Sequence, residues 1–382
     1  MQTGKERPAD RPHTTIGFTR ARSDDEPRLD PKLLSALARI APGTELRQAI
    51  DDIIRSHEGA LIVIGEPAKL EFLISGGIRL DQPLTPQLLY ELAKMDGAVI
   101  VNANLSKLAY ANVQLMPDPA IPTAETGTRH RTAERVAKQT SALVISISQQ
   151  RETVTVFVGD NRYQLDSIAD VLAKTNQALH TLETYRQRLE QVLTRLTALE
   201  FQSAVVLDDV LVVLQRAEMT TRMAEDIERD CVELGTEGRL IRMQLQELVG
   251  DVPGEKTAVV YDYHTEGPAA VRNALERLAR LEYGELLEFE VIAETIGYSP
   301  TINPLDYSVS PRGYRVLRHI PRVPEAVIKR VVSSLDGLEA IVRASQRELE
   351  AVDGVGAVRA QEIRDGMRRL QEHNLVDRYL QL

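Results

Sequence analysis

From residue 29 to about residue 166 the chain alternates between two hydrophobic rhythms. "PKLLSALARI", "LRQAIDDIIRSH", "TPQLLYELAKM" and "RHRTAERVAKQ" repeat apolar positions at the spacing of one helical face. Among them stand the short apolar runs "ALIVIG", "EFLISGGI", "AVIV", "LAYANVQL", "SALVISIS" and "TVTVFVG", each of strand length. Interleaving of this kind predicts an α/β domain over residues 29–166, built on a mixed central sheet. "QQRE" and "GD" near its end read as turns.

After residue 167 the rhythm changes. Residues 168–248 hold few Gly or Pro, and Leu182, Leu189, Leu193 and Leu196 recur at near-heptad spacing, which predicts a long helix with one apolar seam. "RLIRMQLQELVG" and "AVRNALERLARLEYGELLEFEVIAETIG" continue the helical pattern, so residues 167–320 are expected to form an all-α spine. The Pro-, Gly- and Ser-rich stretch "SPTINPLDYSVSPRGYRVLRHIPRVP" marks a boundary, followed by a small helical module over residues 321–382. Residues 1–28 are polar and lack the apolar stretch of a signal peptide, and are expected to be a disordered arm.

Composition narrows the class without choosing a function. The chain of 382 residues is 43% hydrophobic and 27% charged, with a formal net charge of -10, so a nucleic-acid contact has to come from a local patch. Residues 321–382 carry ten Lys/Arg against ten Asp/Glu, which makes this tail the part least repelled by a polyanion. The lone Cys231 excludes an intramolecular disulfide, and the seven histidines lack zinc-ligand spacing. No apolar run approaches the roughly 20 residues that span a bilayer, so a cytoplasmic protein with no membrane contact is expected.

In the tail, Ser345 and Glu348 form a capping-box pattern, and Gly354-Val355-Gly356 make a tight turn into a helix containing Arg359, Ala360 and Ile363. The arrangement resembles the helix-hairpin-helix fold of DNA repair proteins. Glycines there let the backbone approach a phosphate, and free N–H groups at the start of the second helix point toward it, a contact that ignores base sequence. "SSLDGLEAIVRA" upstream reads as a degenerate first copy, and a plain helical hairpin is the alternative.

Two further stretches carry candidate chemistry. In "PTAETGTRHRTAERVAKQT" Gly127 permits a tight approach, Thr128 can cap the helix, and Arg129, His130 and Arg131 fall in its first turn. Two guanidiniums, backbone donors and the positive end of the helix dipole then converge, which suits a triphosphate. A solvated basic turn paired with Glu125 or Glu134 is the alternative. In "KMDGAVIV", Asp96, Gly97 and Ala98 stand at a helix-to-strand junction where a carboxylate can hold Mg²⁺ or orient a hydroxyl.

DGA at 96–98, "ANVQLMPDPAIP", and GTRHR at 127–131 in this order resemble the diadenylate cyclase domain. With the spine and the terminal module, the whole chain beyond the N-terminal arm resembles the DNA-integrity-scanning members of that family. The resemblance implies condensation of two ATP into cyclic di-AMP, with Mg²⁺ as the cofactor and Mn²⁺ as the alternative. It implies that Asp96 serves the metal and the attacking 3′-hydroxyl, and that Gly97 and Ala98 lie against ribose and phosphates. Leu115 would read adenine through its backbone. Thr128, Arg129, His130, Arg131 and Thr132 would hold the triphosphate, and Ser148 would line the pocket. It implies an octamer with cyclase domains face to face, and branched DNA engaged by Gly354, Val355, Gly356 and Arg359. A non-catalytic DNA-binding scaffold that uses the TRHR turn for phosphate contacts stays open at this point.

Overall fold

"ALIVI" and "AVIV" become strands buried along their whole length, because both faces of the sheet they join are covered by helices. The computed structural model describes residues 30–380, with side chains described through residue 372. The arm expected over residues 1–28 lies outside the described residues.

Eight strands form one mixed sheet: β1 (Ala60–Ile64), β2 (Ile74–Ser75), β3 (Ile78–Pro83), β4 (Ala98–Val101), β5 (Lys107–Leu115), β6 (Leu143–Ser148), β7 (Thr153–Val158) and β8 (Asn161–Gln164). Their spatial order is β2-β5-β4-β1-β6-β7-β8, with β3 also on β5. β1 and β4 run parallel and the other described pairs antiparallel. One face carries the helices Pro31–Arg39, Glu45–Arg55 and Pro86–Ala93, whose Leu37, Ile50 and Leu89 pack on Ile62, Val99 and Ile145. The other face carries the helix Thr128–Thr140. Its Ala133, Val136 and Ala137, spaced for one helical face, pack on Leu61, Val63 and Val144.

β3 and β8 are not among the strand patterns expected from sequence. β3 reads "IRLDQP" and is mostly exposed, and β8 reads "NRYQ" with alternating half-burial. "EFLISGGI" is not one strand either: Glu71–Leu73 form a 3₁₀ turn, and β2 keeps only two residues before the chain turns at Gly76–Gly77 into β3.

The spine begins with the helix Ile168–Phe201, on which Leu182, Leu189 and Leu196 are fully buried and Leu193 is partly so. It packs along Leu207–Leu234, and the helices Arg239–Val249, Val252–Tyr263, Val271–Arg280 and Phe289–Thr295 complete the region. Cys231 is buried here, and burial pushes its thiol up to about 11, so it is an inert packing residue. The Tyr163 hydroxyl donates to Glu233 at 2.7 Å and ties β8 to the spine.

The core of the C-terminal module takes in Tyr314, Val316, Leu317 and Ile320, ahead of the boundary expected at residue 321, and the module docks through buried charge. The Asp262 carboxylate accepts the N–H groups of Gly313 and Tyr314 at 2.7 Å and of Arg315 at 2.9 Å, at the start of the helix Tyr314–Arg318. The Arg315 side chain is 1% exposed and pairs with Glu200 at the end of the long helix, and it also donates to the Thr197 hydroxyl at 2.7 Å. Beyond it the helices Glu325–Ser334, Gly337–Arg343, Gln346–Glu350 and Ala357–Leu380 share one core that includes Leu317, Val331, Leu338 and Ile363.

Candidate active site

The first strand of the site is β4. Asp96 and Gly97 lead into it from the helix Pro86–Ala93. On β5, Asn112 adopts φ +53°, and the β4–β5 register shifts beside it, so the β5 backbone bulges beneath Gly97. A β-carbon on Gly97 would lie 2.5 Å from the Val113 nitrogen and 2.6 Å from the Asn112 α-carbon. Glycine is therefore required at 97 by strand packing alone. The Asp96 carboxylate is exposed and has no hydrogen-bond or ion-pair partner among the described residues.

Strand register places the other expected groups at the same end of the sheet. Ala98 pairs with Val113, two residues before Leu115 at the end of β5. Ile62 pairs with Val99 in parallel, so the start of β1, just after Gly59, lies beside the start of β4, just after Gly97. Ala60 pairs with Ile147, next to Ser148 at the end of β6.

Over this end sits the N-terminus of the helix Thr128–Thr140. Its N-cap is Gly127 and no side chain caps it; Thr128 is the first helical residue and does not play the capping role its hydroxyl suggested. With no side-chain acceptor, the first-turn N–H groups remain available to an anion. Arg129 is half-buried and turns inward, its Nη1 donating to the Ile147 carbonyl at 3.4 Å. The guanidinium fills the space that a β-carbon on Gly59 would take. Arg131 is exposed and Thr132 half-buried on the next positions. Burial lowers the His130 pKa below the ordinary imidazole value; Glu125 opposes the shift, and Arg129, Arg162 and Arg151 reinforce it. Neutral imidazole is then the form present near pH 7.

Neither arginine of the turn pairs with Glu125 or Glu134. Glu125 pairs with Arg162 and Glu134 with Lys138. The Ser148 hydroxyl accepts the Arg151 N–H at 3.3 Å, so part of its capacity goes to the β6–β7 turn.

Asp96, Ala98, Leu115, Ser148 and the Gly127–Thr132 turn thus meet at one sheet end. Gly59, Arg151 and Arg162 belong to the same neighbourhood and were not legible as such, because each lies in a turn or polar edge strand with no motif of its own. Among the described residues no group of three or more His, Cys, Asp or Glu is placed to hold a metal. One free carboxylate suits a Mg²⁺ ion that arrives on a triphosphate, since Mg²⁺ takes one or two carboxylates and fills its shell with phosphate oxygens and water.

In the C-terminal module the Ser345–Glu348 capping box is formed, and Gly354 turns the chain at φ +74° into the helix beginning at Ala357. Val355 is buried in the core, so its side chain faces inward and only the backbone of the turn is presented. Arg359 donates to the Gly354 carbonyl at 2.9 Å and braces the turn, and Val358 beside it is 74% exposed.

Comparison with known proteins agrees with this architecture. The family described as "DisA bacterial checkpoint controller nucleotide-binding" matches residues 47–162, and "DisA bacterial checkpoint controller linker region" matches residues 165–305. The chain is 48% identical over 344 residues to the DNA integrity scanning protein DisA of Carboxydothermus hydrogenoformans, covering 90% of this chain and 98% of that one. It is 46% identical over 348 residues to the protein of the same name from Acetivibrio thermocellus, covering 91% of this chain and 97% of that one. A third, from Streptomyces coelicolor, is 43% identical over 355 residues, covering 92% and 95%. With nearly the whole length of each relative matched, and with the motif residues gathered at one end of the nucleotide-binding sheet, the chain belongs to the DisA family of diadenylate cyclases.

Proposed function

We propose that the chain condenses two ATP molecules into cyclic di-AMP at the sheet end formed by Asp96 and the Thr128–Arg131 turn, and that its C-terminal module reports on DNA. One observation carries the catalytic part: an uncapped helix N-terminus, with Arg129 turned in to the Ile147 carbonyl, stands at the same sheet end as the free Asp96 carboxylate that leads into β4.

Each 3′-hydroxyl oxygen attacks the α-phosphorus of the other nucleotide, an O–P bond forms, the bond to the bridging α,β-oxygen breaks, and pyrophosphate leaves. Asp96 orients the hydroxyl and takes up its proton. Arg129 and Arg131 offset charge on the phosphates and on the leaving group, and the first-turn N–H groups of the helix add donors that need no reorganisation. Gly97 and Ala98 lie against ribose and phosphate, Leu115 contributes its backbone to adenine, and Ser148 and Thr132 complete the lining. Neutral His130 acts as a positioning group. Asp96 would hold Mg²⁺, with Mn²⁺ as the alternative, and the ion would supply charge neutralisation when bound.

Because each nucleotide needs the other's phosphate, two catalytic domains meet face to face in a twofold contact. Exposed Phe72, Ile78, Met95 and Met116 around β2, β3 and the Asp96 turn offer an apolar surface for it. The spine holds such pairs in an octamer and carries the tails outward, where the Gly354–Gly356 turn and Arg359 meet the phosphates of branched DNA independently of sequence. ATP and DNA are both at hand in the cytoplasm. The inward turn of Arg129 disfavours the scaffold alternative, in which the TRHR cations would face outward to a duplex.

Incubating the full-length protein with Mg²⁺ and either ATP or GTP tests this. ATP should yield a cyclic dinucleotide and two pyrophosphates, and linear or absent product contradicts the proposal. Branched DNA added to the same assay should lower turnover; unchanged turnover contradicts the coupling.

A further inference from the structure

Residues 116–127 connect the end of β5 to the phosphate-side turn without helix or strand, and include Pro117, Pro119 and Pro122. An irregular connection of this length ordinarily lets its two ends shift relative to one another. Here it is stitched along one face of the helix Thr128–Thr140. Gln139 accepts the Asp118 N–H at 3.0 Å, Arg135 donates to the Ile121 carbonyl at 3.0 Å, and Lys138 donates to the Pro122 carbonyl at 3.1 Å. Glu134 then accepts the Thr123 hydroxyl and the Ala124 N–H, the latter at 3.2 Å, while its other oxygen pairs with Lys138 at 2.7 Å. The connection therefore runs antiparallel to the helix, and Glu134 is the last of these four clamps before Gly127. Unlike exposed Arg131, Glu134 is buried, at 9% exposure.

We propose that Glu134 is a positioning residue of the cyclase. By holding Thr123 and Ala124 against the helix it fixes the separation between the base-side strand end at Leu115 and the triphosphate-side turn at Thr128–Arg131. The inference rests on the reading of that turn as the triphosphate site. One ATP has to be met at both ends together for its 3′-hydroxyl and α-phosphorus to stand correctly, so slack between the ends weakens the grip on the whole nucleotide while leaving each end intact.

The test compares Glu134→Ala, Glu134→Gln and Thr123→Val in the full-length protein, measuring affinity for ATP and for inorganic tripolyphosphate alongside kcat/KM. Glu134→Ala and Thr123→Val should lose about tenfold or more in ATP affinity and kcat/KM, with tripolyphosphate affinity changed by less than about threefold. Glu134→Gln keeps an acceptor oxygen for Thr123 and Ala124 and should recover most of the loss. Unchanged ATP affinity in both Glu134→Ala and Thr123→Val overturns the proposal. So does a parallel fall in tripolyphosphate affinity, which would mean that the turn itself had been lost. Should Glu134→Ala fail to fold, Thr123→Val decides, because it leaves the Glu134–Lys138 pair in place. Wild-type protein that does not bind tripolyphosphate would remove the triphosphate site itself, a different result from a site that binds but ignores Glu134.

Discussion

The Arg129 guanidinium lies where a side chain on Gly59 would have to be, packed between the start of β1 and the Ile147 carbonyl at the end of β6. Two residues 70 positions apart thereby set one geometry: the absence of a β-carbon on one strand decides where the cation of the turn can point. Gly59→Ala should push Arg129 out of place and lower kcat/KM by about 10- to 100-fold, the usual consequence of displacing a catalytic group by an ångström. The melting transition should hold, since the atom that must move is the far end of a flexible side chain. Steady-state turnover with unaltered kinetics in this variant would contradict the assigned role of Arg129.

Gly97 makes the opposite case. Its crowding partners are the backbone atoms of Asn112 and Val113, which cannot swing aside. Gly97→Ala should cost about 1–3 kcal/mol or more, as other overpacking changes do, together with activity. Denaturant unfolding of the two glycine variants side by side should separate them.

Arg315 and Glu200 form a buried pair between the spine and the C-terminal module. Replacing only Arg315 with Met leaves Glu200 without its cation and should destabilise by about 3–5 kcal/mol, whereas Arg315→Met combined with Glu200→Leu should recover most of that. Equilibrium unfolding of the single and double variants reads the difference directly. A double variant as unstable as the single one would contradict the pairing.

Glu134 carries a pH signature. Burial works to raise its pKa, but the hydrogen bonds from Lys138 and Thr123 and the Lys138 charge outweigh it, so the folded carboxyl titrates below its ordinary value of 4.5. A depressed carboxylate contributes stability that is present above the unfolded pKa and lost as pH falls through the folded one. The stability difference between wild type and Glu134→Gln should be flat from about pH 6 to 8 and shrink as pH drops below about 4.5. A difference that grows on acidification would contradict this sign.

Much of the catalytic sheet was legible because "ALIVI" and "AVIV" are buried on both faces and keep their apolar character from end to end, and "TVTVFV" carries Val at every second position. β3 and β8 were not, since "IRLDQP" and "NRYQ" are short and largely polar, with only Leu80 and Tyr163 reaching the core, and are strands by pairing with β5 and β7. The heptad leucines of the spine and the Ser345–Glu348 box could be read from spacing. The site was legible only as separate motifs. Register is a tertiary fact, and it alone sets the start of β1 beside the start of β4, while the fold brings Arg151 and Arg162 toward His130. Thr128 misled because a hydroxyl residue at a helix start usually caps it, whereas Gly127 occupies that position here.

The most direct test of the account is product formation by Asp96→Asn in the full-length protein with ATP and Mg²⁺. A carboxylate that orients the 3′-hydroxyl and receives its proton cannot be replaced by an amide, so ATP should bind and DNA should bind while no cyclic dinucleotide forms. Turnover close to wild type would contradict the shared pocket of Asp96 and the arginine turn.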